Sequence, residues 1–447
     1  MRLIMKLVSI HKRFAIAGIF LFSALGVSSL RAEEWSLQKC IDSAIVHNKS
    51  LEISKNEIEI SREKESEVYA NLIPKLEFNS EYKYFTDLPY QIMPMSLFGG
   101  PAGKFKEVQF GVPHNINANI LLTMPLYNSQ IYGGISASGK GMEMKQLLYQ
   151  KSEEDLIYQV SNLYYNLQII ESTRIFLDSN VINSKKLLST ITLLKDNQLA
   201  TGVDVKKIEL QLNQLENKIE TLNNQQLQAL NMLKFLIGKN GSNIEVSDEI
   251  IIGNTSDNYE VNPINVKLKE KKVELIRQEI TNLKNERLPS LMLIGNYGTT
   301  GFGYNEKPND FLNFYPIGFV GLKLNVPIFT GTVLPKKVEQ KSIELQNNEL
   351  EINIIKDKNK IDIENAINIR QTTFKQIENS KTNVELANTI YNQTLLQHSQ
   401  GLANITDILL ADNTLRQSQQ EYLSNLIDYL KSDLEYRRLT GHLSNNE

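Results

Sequence analysis

Two aspartates occupy equivalent places in two matching stretches of the chain. Gln198-Leu199-Ala200-Thr201-Gly202-Val203-Asp204-Val205 lies over Gly401-Leu402-Ala403-Asn404-Ile405-Thr406-Asp407-Ile408, where 401 − 198 = 203 and 408 − 205 = 203, so Asp204 falls on Asp407. Each acid stands where a helical apolar periodicity begins, and an Asp oxygen there can accept the free N–H groups of a first helical turn, the N-cap role. Other groups capable of chemistry are sparse. The five histidines (His11, His47, His114, His398 and His442) show no metal-ligand spacing, and there is no phosphate-binding loop. Gly298-x-x-Gly301-x-Gly303 reads as a strand end and hairpin loop rather than a strand-to-helix turn, which makes it turn chemistry. Cys40 is the only cysteine, so no intrachain disulfide forms. Lys39 stands where a lipoprotein signal needs a small residue, and Cys40 reads as a small core residue. The expectation is a protein without a catalytic centre, a metal or a cofactor, and not an enzyme.

The matched aspartates belong to a longer repeat. All 12 prolines fall between Pro74 and Pro125 or between Pro263 and Pro335, and the stretches between and after are free of proline. Leu72-Ile73-Pro74-Lys75-Leu76 matches Arg287-Leu288-Pro289-Ser290-Leu291, with 289 − 74 = 215, and Met124-Pro125-Leu126-Tyr127 matches Val326-Pro327-Ile328-Phe329, with 327 − 125 = 202. Leu233-x-x-Leu236-x-Gly238 maps onto Tyr436-x-x-Leu439-x-Gly441 at the offset of 203 found above. Such an ordered register means one architecture built twice.

A formal net charge of −3 over 447 residues gives no electrostatic case for nucleic acid. The N-terminal stretch carries basic residues (Arg2, Lys6, Lys12, Arg13), then an apolar run from Phe14 to Val27, then the small residues Ser28 and Ser29 ahead of Ala32. This is the layout of a secretory signal peptide over residues 1–32. That apolar run is short for a membrane helix, and no later segment approaches one.

Lys75 to Tyr84 alternates with a period of two: Leu76, Phe78, Tyr82 and Tyr84 on one face, Lys75, Glu77, Asn79, Glu81 and Lys83 on the other. Ile116, Ala118, Ile120, Leu122 and Met124 oppose Asn115, Asn117, Asn119 and Thr123 in the same way. Val320, Leu322, Leu324 and Val326 oppose Lys323 and Asn325 in the second copy. Each copy thus supplies a β-hairpin, about 72–126 and about 288–328, with strands of roughly ten residues, the length a tilted strand needs to cross a bilayer. The segment from Leu88 to Pro113 is then an outward loop. A soluble sheet with one wet face also alternates, but the amides and charges here suit a water-filled lumen, and Tyr82, Tyr84 and Tyr90 suit an interfacial girdle. Four strands do not close a barrel, and an open edge is forbidden in lipid, so spanning strands must be pooled by an oligomer.

Ile131 to Asn197 reads as one helix of about 100 Å. Its return carries Val205, Ile208, Leu212, Leu215, Ile219 and Leu222, then Ala229, Leu233 and Leu236, a coiled-coil seam that stops at Gly238, as its counterpart stops at Gly441. The coiled-coil hairpins cover about 131–237 and about 331–440. A short helix in each copy, Leu51 to Asn71 and Val266 to Glu286, is available to stack end to end with a return helix and match the long one.

These features, with Trp35 to Asn48 as an opening helix and Asn262-Pro263 before its second-copy counterpart, resemble the TolC-like outer membrane efflux protein family over essentially the whole mature length. The resemblance implies a mainly α fold with membrane β, the TolC-like α/β-barrel, in two repeats at 33–250 and 251–447. It implies a homotrimer in the outer membrane lipid of a Gram-negative bacterium, with a 12-stranded β-barrel and a periplasmic α-barrel. It also implies passive export, driven by an inner membrane pump of RND or ABC type through a periplasmic adaptor. By position, the adaptor-contacting hairpin tips are Gln198, Leu199, Ala200, Thr201 and Gly202 with Gly401, Leu402, Ala403 and Asn404. Asp407 takes a position where an acidic ring narrows the periplasmic entrance, and three carboxylates there would attract cations. Leu410 stands where the family has a second acid, with Asp412 as a partial substitute and Asp204 as the first-copy equivalent of Asp407. Helix capping stays open as a role for Asp204 and Asp407. An exported structural or adhesive coiled-coil protein is the alternative, and an adaptor, with one hairpin between β-domains, is a weaker one; outer membrane insertion separates the channel from both.

Overall fold

The computed structural model describes residues 33–241, 243–247, 250, 263–303 and 313–443; the signal-like residues 1–32 and the start of the second repeat lie outside them. A short strand β1 (Glu33–Trp35) leads into helices α1 (Leu37–His47) and α2 (Lys49–Ala70). Strand β2 (Lys75–Tyr84) follows, then the small hairpin β3 (Tyr90–Pro94) and β4 (Phe105–Gln109), and then β5 (His114–Tyr127). The expected outward loop is therefore itself a folded β-hairpin. The helical hairpin of the first copy is α3 (Ser129–Asp196) and α4 (Gly202–Leu236), followed by β6 (Ile244–Val246), which pairs parallel with β1. The second copy runs α5 (Ile264–Asn285), β7 (Ser290–Gly303), β8 (Phe314–Asn325), α6 (Val333–Ser399) and α7 (Ile405–Thr440). Neither long helix has a proline beyond its first turn, where Pro335 of α6 is tolerated because that N–H has no helical acceptor.

Sheet and helices follow one lateral order. The antiparallel sheet runs β2-β5-β7-β8. Above the middle of the long helices the packing order is α2-α3-α5-α6, and below it α4-α3-α7-α6. Helix α2 leads into β2, β5 into α3, α5 into β7 and β8 into α6, so each strand continues the helix that stands beneath it. The short helices stack end to end with the return helices, as their lengths require. At the first-copy junction Ser43 Oγ donates to the Ile237 carbonyl at 3.0 Å. Gly238 adopts φ +70 there, and a Cβ on it would come within 2.5 Å of His47 Cβ, so only glycine fits. A core of Trp35, Cys40, Ile41, Val160, Tyr164, Leu233 and Ile237 surrounds this level.

Register assigns the two faces of the sheet. Leu76, Leu122, Gly295 and Val320 share one row, as do Phe78, Ile120, Tyr297 and Gly318, and these rows alternate with Asn79-Asn119-Gly298-Ile317. The polar face is hydrogen-bonded across strands by Asn119 Nδ2 to Asn296 Oδ1 and by Thr300 Oγ1 to Asn117 Oδ1, both at 2.8 Å. The outer part of β8 is apolar on this face too, with Ile317 and Phe319, which is why its alternation is readable only from Val320 onward. Gly298, Gly301 and Gly303 correct the expectation of turn chemistry: all three lie within β7. A Cβ on Gly298 would sit 2.4 Å from the Ala118 carbonyl, and one on Gly301 would meet the Phe314 ring, so these glycines admit close neighbouring strands.

Candidate functional site

The two hairpin tips are built from the same pair of devices. Helix α3 ends in a left-handed residue, Gln198 (φ 64), and the Leu199 N–H donates back to the Leu194 carbonyl at 2.8 Å. Helix α6 ends with Gly401 (φ 75), and the Leu402 N–H donates to the Gln397 carbonyl at 2.9 Å. This six-to-one closure satisfies carbonyls that have no helical donor. A return helix then begins in a capping box. At the first tip Thr201 Oγ1 accepts from Asp204 N–H at 3.2 Å, and Asp204 Oδ2 accepts from Thr201 N–H at 3.1 Å. At the second, Asn404 Oδ1 accepts from Asp407 N–H at 3.0 Å and Asp407 Oδ2 from Asn404 N–H at 2.8 Å. The cap residues are therefore Thr201 and Asn404, and the two aspartates complete each box from its third helical position. The Thr201 hydroxyl and N–H hold the Asp204 carboxyl below the usual carboxylate range, with Lys207 adding to the same effect.

Both tips share one core. Leu187, Ile191, Val205, Ile208, Ala387, Tyr391, Ile405 and Ile408 form a single buried cluster, so Ala200 and Thr201 lie at the same end of the protein as Ala403 and Asn404. Leu199 and Leu402 project outward, 75% and 76% exposed. Asp407 and Leu410, three residues apart on α7, share a solvent-facing side.

Asp412 does not join them. It is 3% exposed, turned inward between the hairpins, where its Oδ2 accepts from Gln211 Nε2 of α4 and from Arg416 Nη2 at 3.1 Å. The expectation that it substitutes for a second exposed acid gives way to a role in joining the repeats. Gln211 and His398 were not signalled by any sequence pattern. His398 Nδ1 donates to the Ala403 carbonyl at 2.8 Å and so braces the second tip, a bond with no counterpart at Lys195 in the first. Among the described residues no cluster of His, Cys, Asp and Glu could hold a metal ion.

No family model matches the chain. It is 20% identical to the outer membrane protein TolC of Salmonella enteritidis in an alignment covering 95% of this chain and 85% of that protein. Among solved structures, the outer membrane protein VceC of Vibrio cholerae superposes with a TM-score of 0.72 at 15% identity, over 91% of this chain and 96% of that one. CusC gives 0.74 at 12% identity over 94% and 95%. The open state of the MtrE outer membrane channel of Neisseria gonorrhoeae gives 0.68 at 16% identity over 94% of each chain. The fold is TolC-like, that of the outer membrane channels, over nearly its whole length.

Proposed function

We propose that this chain is the outer membrane exit duct of an efflux or type I secretion system, a passive channel in the outer membrane of a Gram-negative bacterium that extends into the periplasm. The observation that carries this reading is the lateral order shared by sheet and helices, β2-β5-β7-β8 over α2-α3-α5-α6, with both margins open among the described residues. A sheet with one apolar face and unpaired edges has to close through further copies to exist in lipid. Because strand direction alternates across the sheet, β8 of one copy meets β2 of the next in the antiparallel sense already used within each chain. Three copies of a four-stranded sheet give 3 × 4 = 12 strands. The helical margins support the same closure: α6 carries exposed Ile343, Leu350, Ile354 and Ile361, and the opposite margin carries exposed Ile53, Ile60, Leu210 and Phe235.

Energy then comes from elsewhere, from an inner membrane pump of RND or ABC type reached through a periplasmic adaptor. The adaptor meets Gln198 to Gly202 and Gly401 to Asn404, where Leu199 and Leu402 offer apolar contacts. Asp407 of each copy faces the entrance and draws cations, with Leu410 forming an apolar ring one turn further in. The test is the mass of the detergent-extracted protein together with its conductance in a planar bilayer. A trimer that conducts ions supports the duct; a monomer that leaves cells without detergent and carries no current overturns it.

A further inference from the structure

We propose that Asp412 and Gln211 form an acid-tightened clasp between the hairpins of the two repeats, close to their tips. Asp412 belongs to the second repeat and Gln211 to the first, and their contact is made by a carboxylate that is 97% removed from solvent, 3% remaining exposed. Apolar side chains pack along this end of the seam: Leu187 and Ile191 from α3, Ile208 from α4, and Ile408, Ala411 and Leu415 from α7. Three groups face the carboxylate. Helix α4 supplies the neutral Gln211 amide, α7 supplies Arg416, and α6 supplies Tyr391, itself buried. Burial pushes the Tyr391 phenol up to about 12, with the Asp412 charge adding to this, so the tyrosine stays neutral across the range that matters. His398, two turns along α6, is bonded to the tip loop through Nδ1.

Burial also pushes the Asp412 carboxyl above its ordinary range, offset in part by Arg416 and by the Gln211 hydrogen bond. The sign follows from linkage. When the hairpins part, Asp412 reaches water and returns toward the ordinary Asp value, so the closed arrangement binds the proton more readily than the open one. Closure is favoured below the usual Asp range and weakens as pH rises through the raised value. The device is one-sided, since the first-repeat counterpart of Asp412, at 412 − 203 = 209, is Glu209, which pairs with Lys206 at 2.6 Å on the surface. The clasp lies within one chain and does not depend on the channel reading.

The experiment is pulsed electron resonance on the full chain in detergent, with spin labels at the exposed positions Lys207→Cys and Thr406→Cys, diluted with unlabelled chain so that distances are intramolecular. Spectra are compared at about pH 4, near the ordinary Asp value, and at about pH 8. The expected result is a shift to longer, broader distances at the higher pH that is lost in Asp412→Asn, which stays short at both. Gln211→Glu sets a second carboxylate against the first and is expected to move the transition to higher pH, which keeps the test open if the Asn variant folds poorly. A pH-independent distance in the parent, or the parent's full response persisting in Asp412→Asn, overturns the clasp.

Discussion

Asn48 joins two helices that are far apart in sequence: its Nδ2 donates to the Leu236 carbonyl at 2.9 Å, while its Oδ1 accepts from the N–H groups of Ser50 and Leu51 at 2.9 and 3.1 Å. One buried amide thus caps the start of α2 and the end of α4, and the two helices act as a single column beside α3. Losing a cap costs about 1 kcal/mol, and a buried carbonyl left without a donor adds about 1–3 kcal/mol. Asn48→Ala is therefore expected to lower the unfolding midpoint clearly, and Asn48→Asp, which keeps the cap but not the donor, by less. Thermal unfolding in detergent, followed by circular dichroism, checks the ranking. Equal losses in the two variants would mean that the cap on α2 contributes nothing, and a parental midpoint in Asn48→Asp would mean that the contact with Leu236 contributes nothing.

Gln198 and Gly401 hold the same left-handed turn with different side chains, φ 64 and φ 75. A Cβ in this region costs roughly 1 kcal/mol. A Cβ on Gly401 would meet nothing within 4 Å, so the cost there is conformational and not steric. Gln198→Gly is expected to raise stability by up to about 1 kcal/mol and Gly401→Ala to lower it by about as much. Hydrogen exchange at Leu199 and Leu402, whose amides close the two turns, is the local readout; no change in protection at either would remove backbone strain as the reason for the difference.

Much of this architecture was legible in the residues because it is periodic. The offsets of 203 and 202 revealed the repeat, and the short helices matched the shortfall of the return helices in length. The lateral order was not legible, since alternation assigns faces to a strand but not its neighbours; that β5 lies beside β7 rests on pairings 177 to 183 residues apart, such as Asn119–Asn296 and Asn117–Thr300. Gly298 looked like a turn glycine because a missing side chain gives the same signal in a turn as beside a closely approaching paired strand. Asp412 could have been placed inward: Ile405, Ile408, Asp412 and Leu415 repeat the 3,4,3 spacing of Val205, Ile208, Leu212 and Leu215. Its partner Gln211 could not, because nothing in a single sequence couples an amide on one hairpin to an acid on the other.

Cys40 sits fully buried in the core around Trp35 and Val160, and burial pushes its thiol up to about 12, against a smaller opposing effect of Lys39. Near neutral pH it is a thiol without access, and the thiolate is the reacting form. A maleimide is expected to leave the folded protein unlabelled and to label one site per chain after denaturation. Labelling of the folded protein within minutes would show that the packing of α1 on α3 opens readily.

Asp407 completes the capping box of the second tip, and one substitution separates that role from the cation attraction proposed for it. Its Oδ2 accepts from Asn404 N–H at 2.8 Å, and the amide oxygen of Asn can take that bond while removing the charge. Asp407→Asn is thus expected to leave the tip folded and to weaken cation block, or to raise the conductance of the closed channel. Asp407→Leu removes both charge and acceptor, and is expected to cost roughly a further 1 kcal/mol at the tip. Leu410→Asp tests the proposed ring from the other side: Leu410 is 67% exposed on the same side of α7, and a carboxylate there adds negative charge one turn further along that helix. Neighbouring like charges strengthen the attraction for a multivalent cation more than for a monovalent one. Block by a trivalent cation should therefore tighten in Leu410→Asp and relax in Asp407→Asn, measured as current through single channels. If both variants block like the parent, the charge of Asp407 lies away from the conduction path and its work is confined to the capping box.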